Sequence, residues 1–551
     1  MGKQFEDPSS HDHLSGHNSP PGSDLELPPC VFSTGRRIGI LWNLPRQDRD
    51  WWYEWHCSCI STRINDAMRT FLSKTKLMSA RQCMKRLHLE IHRPELKVIS
   101  PATEAAFETG HRVGAVAQQI YGTDDAVFIP YEGGLSQALK KTVRLVKGGP
   151  RFPIFEATFQ YDGVLVRVDA LIPDGDGWQI VEVKASTSVK EEHSFDCAVQ
   201  SWVFQGMGHK LNGIALAYVD NSFVYRGDNN YEGLLIKENM ADDVEQLLPI
   251  VPESIQEARD TVAGAEPAIA VGQHCFDPYE CPFVSHCWPS DSDYPVQGLA
   301  GSKAKLAEFV LEGYRDIRDV PASRLTVKQQ WIQKVTASGK PELLAGARRS
   351  MADLAYPRYY LDFETIMPPV PIWADTRPYQ TLPFQWSCHV ELAPGKMDHA
   401  EFLDLSGDPP MRRLAESLVR ALGRDGPILT YTAYEKRVIN GLIERFPDLQ
   451  RPLAAIVERL VDLAPVARQF YYHPDMHGSW SLKHVLPTIA ADMQYQELTG
   501  IQEGTAASEG YLEAIDANTT GERKAELKKQ LLRYCKFDTE ALVRLVKFLG
   551  Q

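Results

Sequence analysis

Two short stretches constrain this chain more than any other feature: Leu165-Val166-Arg167-Val168-Asp169-Ala170-Leu171-Ile172 and Gly177-Trp178-Gln179-Ile180-Val181-Glu182-Val183-Lys184. Both alternate apolar and polar residues, the period-two signature of half-buried strands. The acidic, glycine-bearing segment from Pro173 to Gly177 supplies a turn, so the two are expected to pair as a hairpin. That pairing brings Asp169, Glu182 and Lys184 to one edge of a sheet, with Glu182 and Lys184 sharing a face because they are two residues apart. Two carboxylates hold a hard cation through oxygen. A lysine beside them orients a water or offsets charge building on a phosphate, the equipment of metal-assisted phosphodiester hydrolysis. The structural alternative is a surface hairpin with a cross-strand ion pair.

Asp169 with Glu182-Val183-Lys184 resembles the core of PD-(D/E)xK nucleases, and the flanking sequence resembles their RecB-like branch. His193 to Gly208 reads as a helix with Gln200 and, one turn later, Phe204, similar to that branch's Gln-xxx-Tyr motif with Phe in place of Tyr. Thr109-Gly110-His111, read as opening a helix, resembles the segment that holds the branch's metal-binding histidine. The resemblance implies that His111, Asp169 and Glu182 ligate metal, that Lys184 and Gln200 assist catalysis, and that Glu156 is a weaker candidate ligand.

The chain has 551 residues, enough for two to four domains. Lys and Arg number 59 against 72 Asp and Glu, a net charge of −13, so the average surface repels a polyanion. Contact with nucleic acid is therefore expected to be local, with metal ions offsetting the acidic sites. Basic runs occur at Lys140 to Arg151 and Arg523 to Lys536. No apolar run is long enough to span a bilayer, and the polar first residues do not resemble a signal peptide. A cytoplasmic location is expected, with the ten cysteines reduced and used for ligation or burial.

Residues 1–67 read as a weakly ordered leader rich in Ser, His, Pro and Gly, with an aromatic stretch around Trp51-Trp52-Tyr53. After it, Ser79 is placed to cap a helix carrying Cys83. Cys275, Cys281 and Cys287 follow much later, close together among prolines and aromatics, which argues for shared coordination. One distant and three clustered cysteines resemble the iron–sulfur staple of RecB-like nucleases, including the AddB and CRISPR-adaptation types. The resemblance implies a [4Fe–4S] cluster on these four thiolates. Zinc on the same residues is the alternative.

The second half opens with an apolar strand, Arg358-Tyr359-Tyr360-Leu361, running into Asp362-Phe363-Glu364. Asp-x-Glu places two carboxylates on one strand face, and at this position it resembles the first motif of DnaQ-like exonucleases. Tyr534-Cys535-Lys536-Phe537-Asp538, on an amphipathic helix, resembles the third motif of their tyrosine subclass, in which Asp ligates metal and Tyr positions the attacking water. Ile428 to Glu435 reads as a strand entering a helix, with Glu435 where that family usually has Asp. Asp462 and Ser479 to His484 read as substrate-side or supporting elements.

The expected fold class is thus α/β: a PD-(D/E)xK restriction-endonuclease-like domain over 68–297, a helical connector over 298–349, and an RNase H-like exonuclease domain over 350–551. The expected activity is cleavage of nucleic acid, DNA in the first instance, by Mg2+ or Mn2+ catalysis at both sites. A nucleic-acid-binding or scaffolding protein with relic sites is the rival reading. Protein partners and pathway are not legible.

Overall fold

The hairpin forms, and it lies in the middle of a sheet. The computed structural model describes residues 72–148, 151–289 and 291–551, all within one unit spanning Arg69–Gln551. The expected leader, with its Trp51 to Tyr53 stretch, lies outside the described residues. The chain is a mixed α/β fold built on two large sheets and one two-stranded sheet.

The first sheet has seven strands: β1 (Leu72–Ser73), β2 (Val127–Phe128), β3 (Ile154–Tyr161), β4 (Val164–Asp174), β5 (Gly177–Lys184), β6 (Leu211–Val219) and β7 (Leu235–Asn239). Strands β2 to β7 lie side by side in chain order, and β1 adds parallel to β4. The β4–β5 hairpin runs antiparallel from Ala170 opposite Val181 to Asp174 opposite Gly177, turning at Gly175 with φ 53°. That positive φ is the conformation glycine adopts without strain. Because β6 pairs along β5 as far as Lys184 opposite Tyr218, the acidic residues sit at the end of inner strands and not on an edge strand.

Alternation along β5 sorts its residues cleanly. Trp178 and Ile180 enter the main core of this half, under α5 (Glu191–Gly206), while Val181 faces a smaller cluster with Ala170, Ala215 and Ala217. Glu182 and Lys184 continue the Trp178 face, so α5 is the helix that meets them. Preceding it in the chain are α1 (Lys74–Gln82), α2 (Met84–His92), α3 (Pro101–Tyr121) and α4 (Leu135–Lys147). Following it are α6 (Ala241–Leu247) and α7 (Val251–Ala263), separated around Pro249.

Two helix starts differ from expectation. Ser73, not Ser79, caps α1, accepting from the Lys76 amide at 3.3 Å. Ser79 lies inside the helix, where its hydroxyl donates to Glu90 at 3.0 Å. Cys83, in extended backbone, marks the break between α1 and α2. Thr109-Gly110-His111 falls in the middle of α3, whose start is fixed by the Ser100 cap and Pro101.

Between the two large sheets come α8 (Lys303–Leu311), α9 (Val327–Ser338) and α10 (Gly346–Ala352), with short β8 (Glu342–Leu343) pairing to β14 (Tyr471–Tyr472). Their core includes Phe309, Ile332, Tyr472 and Trp480.

The second sheet contains β9 (Arg358–Ile366), β10 (Leu382–Ala393), β11 (Lys396–Leu403), β12 (Ile428–Thr430) and β13 (Leu460–Asp462), in the order β11-β10-β9-β12-β13. β10 is antiparallel to both neighbours, whereas β12 runs parallel to β9 and β13. β9 is central and buried on both faces: Leu361 and Phe363 enter one core, Tyr360 the other. Asp362 and Glu364 continue the Tyr360 face. Helices α11 (Tyr434–Arg445), α12 (Leu482–Ile489) and the long α13 (Gly521–Leu549) complete the site-bearing part. The segment that leaves β9 reaches the first sheet: the Thr376 carbonyl accepts from the Tyr225 amide, and the Tyr379 hydroxyl donates to the carbonyl of Ala185, next to Lys184.

Candidate active sites and a cysteine centre

At the end of β5, Glu182 is 2% exposed and is held by three donors. Lys184 Nζ reaches its Oε1 at 2.6 Å, Lys74 Nζ reaches the same oxygen at 2.8 Å, and Gln200 Nε2 reaches Oε2 at 2.6 Å. Asp196 closes the network, accepting from Lys184 at 2.7 Å, Lys74 at 2.9 Å and Gln200 at 3.0 Å. Asp196 and Gln200 are four apart on α5, one above the other on the face that meets the sheet. Asp169 stands just past the β4–β5 ladder, where its carboxylate accepts from the Val183 amide at 2.7 Å.

Electrostatics sets Asp169 and Asp196 apart. Burial, and after it the charge of Glu182, holds the Asp169 carboxyl well above its ordinary range. Asp196 goes the other way: burial opposes ionisation, but the Lys184 and Lys74 ammonium groups outweigh it and lower its pKa. Both lysines are raised although burial alone would lower them, because Asp196 and Glu182 favour the charged form.

Other expected members of this site lie elsewhere. His111 is on α3 with its side chain 82% exposed, and its nearest acid is Glu108 at 4.0 Å. α3 packs Val113 and Val116 near Val183, against the face opposite Glu182. His111, Asp169 and Glu182 therefore do not form a compact ligand set. Glu156, at φ 58°, pairs with Arg167 at 2.9 Å. Phe204 packs edge-on against Phe159 in the core. Lys74 and Asp196 escaped the sequence reading. Asp196 carried a usable signal, one helical turn before Gln200; Lys74 is remote in sequence and carried none.

The second constellation converges from three segments. Asp362 and Glu364 come from β9, Glu435 from the first turn of α11, and Asp538 from α13. Ligating atoms of Asp362, Glu364 and Cys535 lie within 4.8 Å of one another, and no other such trio of acid, histidine or cysteine side chains occurs among the described residues. The Tyr495 hydroxyl donates to Asp538, and its ring stands 4.9 Å from Phe537 and 6.4 Å from Tyr534.

Burial, and after it the charge of Asp538, raises Asp362 and Glu364 well above the carboxylate range. Burial also pushes Asp538 up to about 6, against the lowering influence of Tyr495, Lys483 and Tyr534. Burial, reinforced by Asp462 and Asp538 and opposed by a backbone hydrogen bond, pushes Glu435 up to about 8. Tyr534 and Tyr495 are raised by burial and by Asp538, so both hydroxyls keep their protons.

Supporting groups are now distinguishable. Asp462 accepts from the Thr432 and Ala464 amides at 2.8 and 2.9 Å, bracing the turn before Glu435, where Thr432 has φ 82°. Lys483 donates to the Gln502 carbonyl at 3.0 Å and lies 5.4 Å from the Tyr495 ring centre, beside Glu364 and Asp538. Tyr495 was not anticipated; nothing in its local sequence marks it.

Cys83, Cys275, Cys281 and Cys287 are all unbridged and line one cavity, with Lys85 and Arg86 in its wall. The helix break at Cys83 faces the late segment because Gln82 Nε2 donates to the carbonyls of His274 and Tyr279, each at 2.7 Å. Burial raises the Cys287 thiol and takes that of Cys281 to about 11. No three of the four sulfurs lie within 4.8 Å of one another.

A family model described as "Domain of unknown function (DUF2779)" matches residues 359–481. That stretch holds Asp362, Glu364 and Glu435 and ends before Tyr534 and Asp538. No curated protein matches the chain. Among solved structures, one described as "Crystal structure of SSO0001" aligns at 14% identity, covering 41% of this chain and 89% of that chain, with a TM-score of 0.21.

Proposed function

We propose that this chain is a divalent-metal-dependent nuclease with two phosphodiester-cleaving sites, a RecB-like PD-(D/E)xK site at Asp169, Glu182 and Lys184, and a DEDD-type 3′-to-5′ exonuclease site at Asp362, Glu364, Glu435 and Asp538. One observation carries the reading: four carboxylates from three separate segments converge at the end of β9, the inner strand of a sheet ordered 3-2-1-4-5 with its second strand antiparallel. That order agrees with an RNase H-like domain. The raised acids also support it, because clustered buried carboxylates without a cation repel one another.

Mg2+ or Mn2+, when held by these carboxylates, supplies an activated water and offsets charge on the pentacoordinate phosphorus. The chain's own part is to fix the reacting groups. Tyr534, protonated and one helical turn from Asp538, presents a hydroxyl to the attacking water, while Tyr495 steadies Asp538. In the first site, Lys184 and Lys74 are the cations available to a phosphate, and Gln200 orients Glu182.

The four cysteines suit an iron–sulfur cluster better than one zinc. A tetrahedral zinc, with Zn–S about 2.3 Å, draws all four sulfurs to about 3.8 Å from one another, whereas no three of these lie within 4.8 Å of one another. Bound there, a [4Fe–4S] cluster would cross-link α1 to the segment ending at Cys287. Nucleic acid, DNA first, is the proposed partner.

A second reading is favoured by the ion network around Glu182: if Lys74 and Lys184 serve only to neutralise Glu182 and Asp196, the first site is structural and guides a strand to the second. Anaerobically purified chain, incubated with Mn2+ and labelled DNA and RNA oligonucleotides, tests the proposal. Shortening that stops on chelation supports it; intact substrates throughout would leave a binding protein.

A further inference from the structure

Cys535 stands inside the second site, which as an all-oxygen centre has no use for sulfur. Its side chain is fully buried, and its Sγ is 3.5 Å from Oδ2 of Asp362. Two ligands of one tetrahedral zinc, with sulfur at about 2.3 Å and oxygen at about 2.1 Å, stand about 3.6 Å apart. Glu364 completes a trio whose ligating atoms lie within 4.8 Å of one another. A separate observation points to the same spot. Glu435, 3% exposed, buries Oε2 with no hydrogen-bond partner, and its charge is felt by both Asp362 and Glu364.

We propose that Asp362, Glu364 and Cys535 bind a thiophilic divalent cation of the zinc class, which competes with Mg2+ or Mn2+ for the second site and inhibits it. Magnesium demands six oxygen ligands and gains nothing from a thiol, whereas zinc, cadmium and cobalt accept mixed sulfur and oxygen donors. On binding, the S–H bond breaks, a metal–sulfur bond forms and the proton passes to solvent, with no change of oxidation state. The inhibitory role rests on the nuclease reading; the metal site itself does not.

Cadmium titration of the reduced full chain tests this, read by cadmium–thiolate charge-transfer absorption in wild type and in Cys535→Ala. The remaining cysteines contribute alike to both proteins, so the wild type should take up one additional equivalent with its own absorption. Glu364→Gln should weaken that equivalent by about tenfold or more; unchanged affinity would reduce the site to a lone thiol and overturn the proposal. Equal uptake and identical spectra in wild type and Cys535→Ala would overturn it too. Should Cys535→Ala not fold, Cys535→Ser bears the same comparison. In the strand-shortening assay with Mn2+, zinc should inhibit wild type at about tenfold lower concentration than Cys535→Ala. If neither protein shortens strands, the nuclease reading falls while the cadmium difference still decides this one.

Discussion

Replacing Glu435 by Gln should make the cation-free protein more stable while disabling its second site. Glu435 is buried with one oxygen unpartnered, and its pKa rises from an ordinary 4.5 to about 8, chiefly through burial. A carboxyl whose folded pKa is raised favours the folded state at low pH. That advantage is complete below 4.5 and is lost as pH climbs towards 8, because the unfolded chain ionises first. By pH 7 the loss for this one group is about 3 kcal/mol. Glutamine cannot ionise, so the variant escapes the loss but still buries an amide with an imperfect set of partners, at about 1–3 kcal/mol. The net gain, up to about 2 kcal/mol, corresponds over a unit of this length to a rise in Tm of up to about 2 °C. The assay is thermal unfolding in buffer stripped of divalent cations, from pH 5 to pH 8. Wild type should melt lower with each step in pH, the variant less steeply, and added Mn2+ should restore wild type more than the variant. Strand shortening by the second site should fall about 100-fold or more. A variant that melts below wild type at pH 7, or a wild-type Tm indifferent to pH without cations, would refute the electrostatic account.

Lys184→Ala should abolish cleavage at the first site yet leave the chain folded, since Lys74 and Gln200 still cover Glu182 and Asp196. Removing Lys74 as well strands two buried carboxylates, and the melt of the double variant should show a loss of about 3–5 kcal/mol. Cys281→Ser should lose iron; anaerobic wild type should carry about four irons per chain, and stoichiometric zinc without iron would contradict the assignment. Tyr495→Phe removes a hydrogen bond that holds Asp538 down, so the acid limb of the second site's pH–rate profile should move to higher pH; an unmoved limb would exclude Asp538 from that titration.

What was legible in the sequence is what short-range periodicity encodes. The hairpin, the Asp362–Glu364 face and the Tyr534–Asp538 turn each follow from a spacing of two or four residues, and each occurs as read. The Gln200 helix was equally visible, and Asp196 stood within the same spacing. Groups delivered by tertiary packing were not. Lys74 reaches Glu182 across 108 residues of chain, and Tyr495 reaches Asp538 across 43. His111 shows the converse: its position in sequence resembled a ligand's, but the register of α3 turns Val113 and Val116 inward and leaves the imidazole in solvent. Ser79 suited a cap until Glu90, on the next helix, claimed its hydroxyl.

The most direct test sets wild type beside Glu182→Ala, Asp362→Ala and the variant carrying both. Each is incubated with Mn2+ and single strands labelled at either the 5′ or the 3′ end. Asp362→Ala should lose stepwise trimming from the 3′ end, Glu182→Ala should lose a separate cleavage component, and the double variant should leave both labels intact. Undiminished cleavage by the folded double variant would contradict the assignment of phosphodiester hydrolysis to these carboxylates.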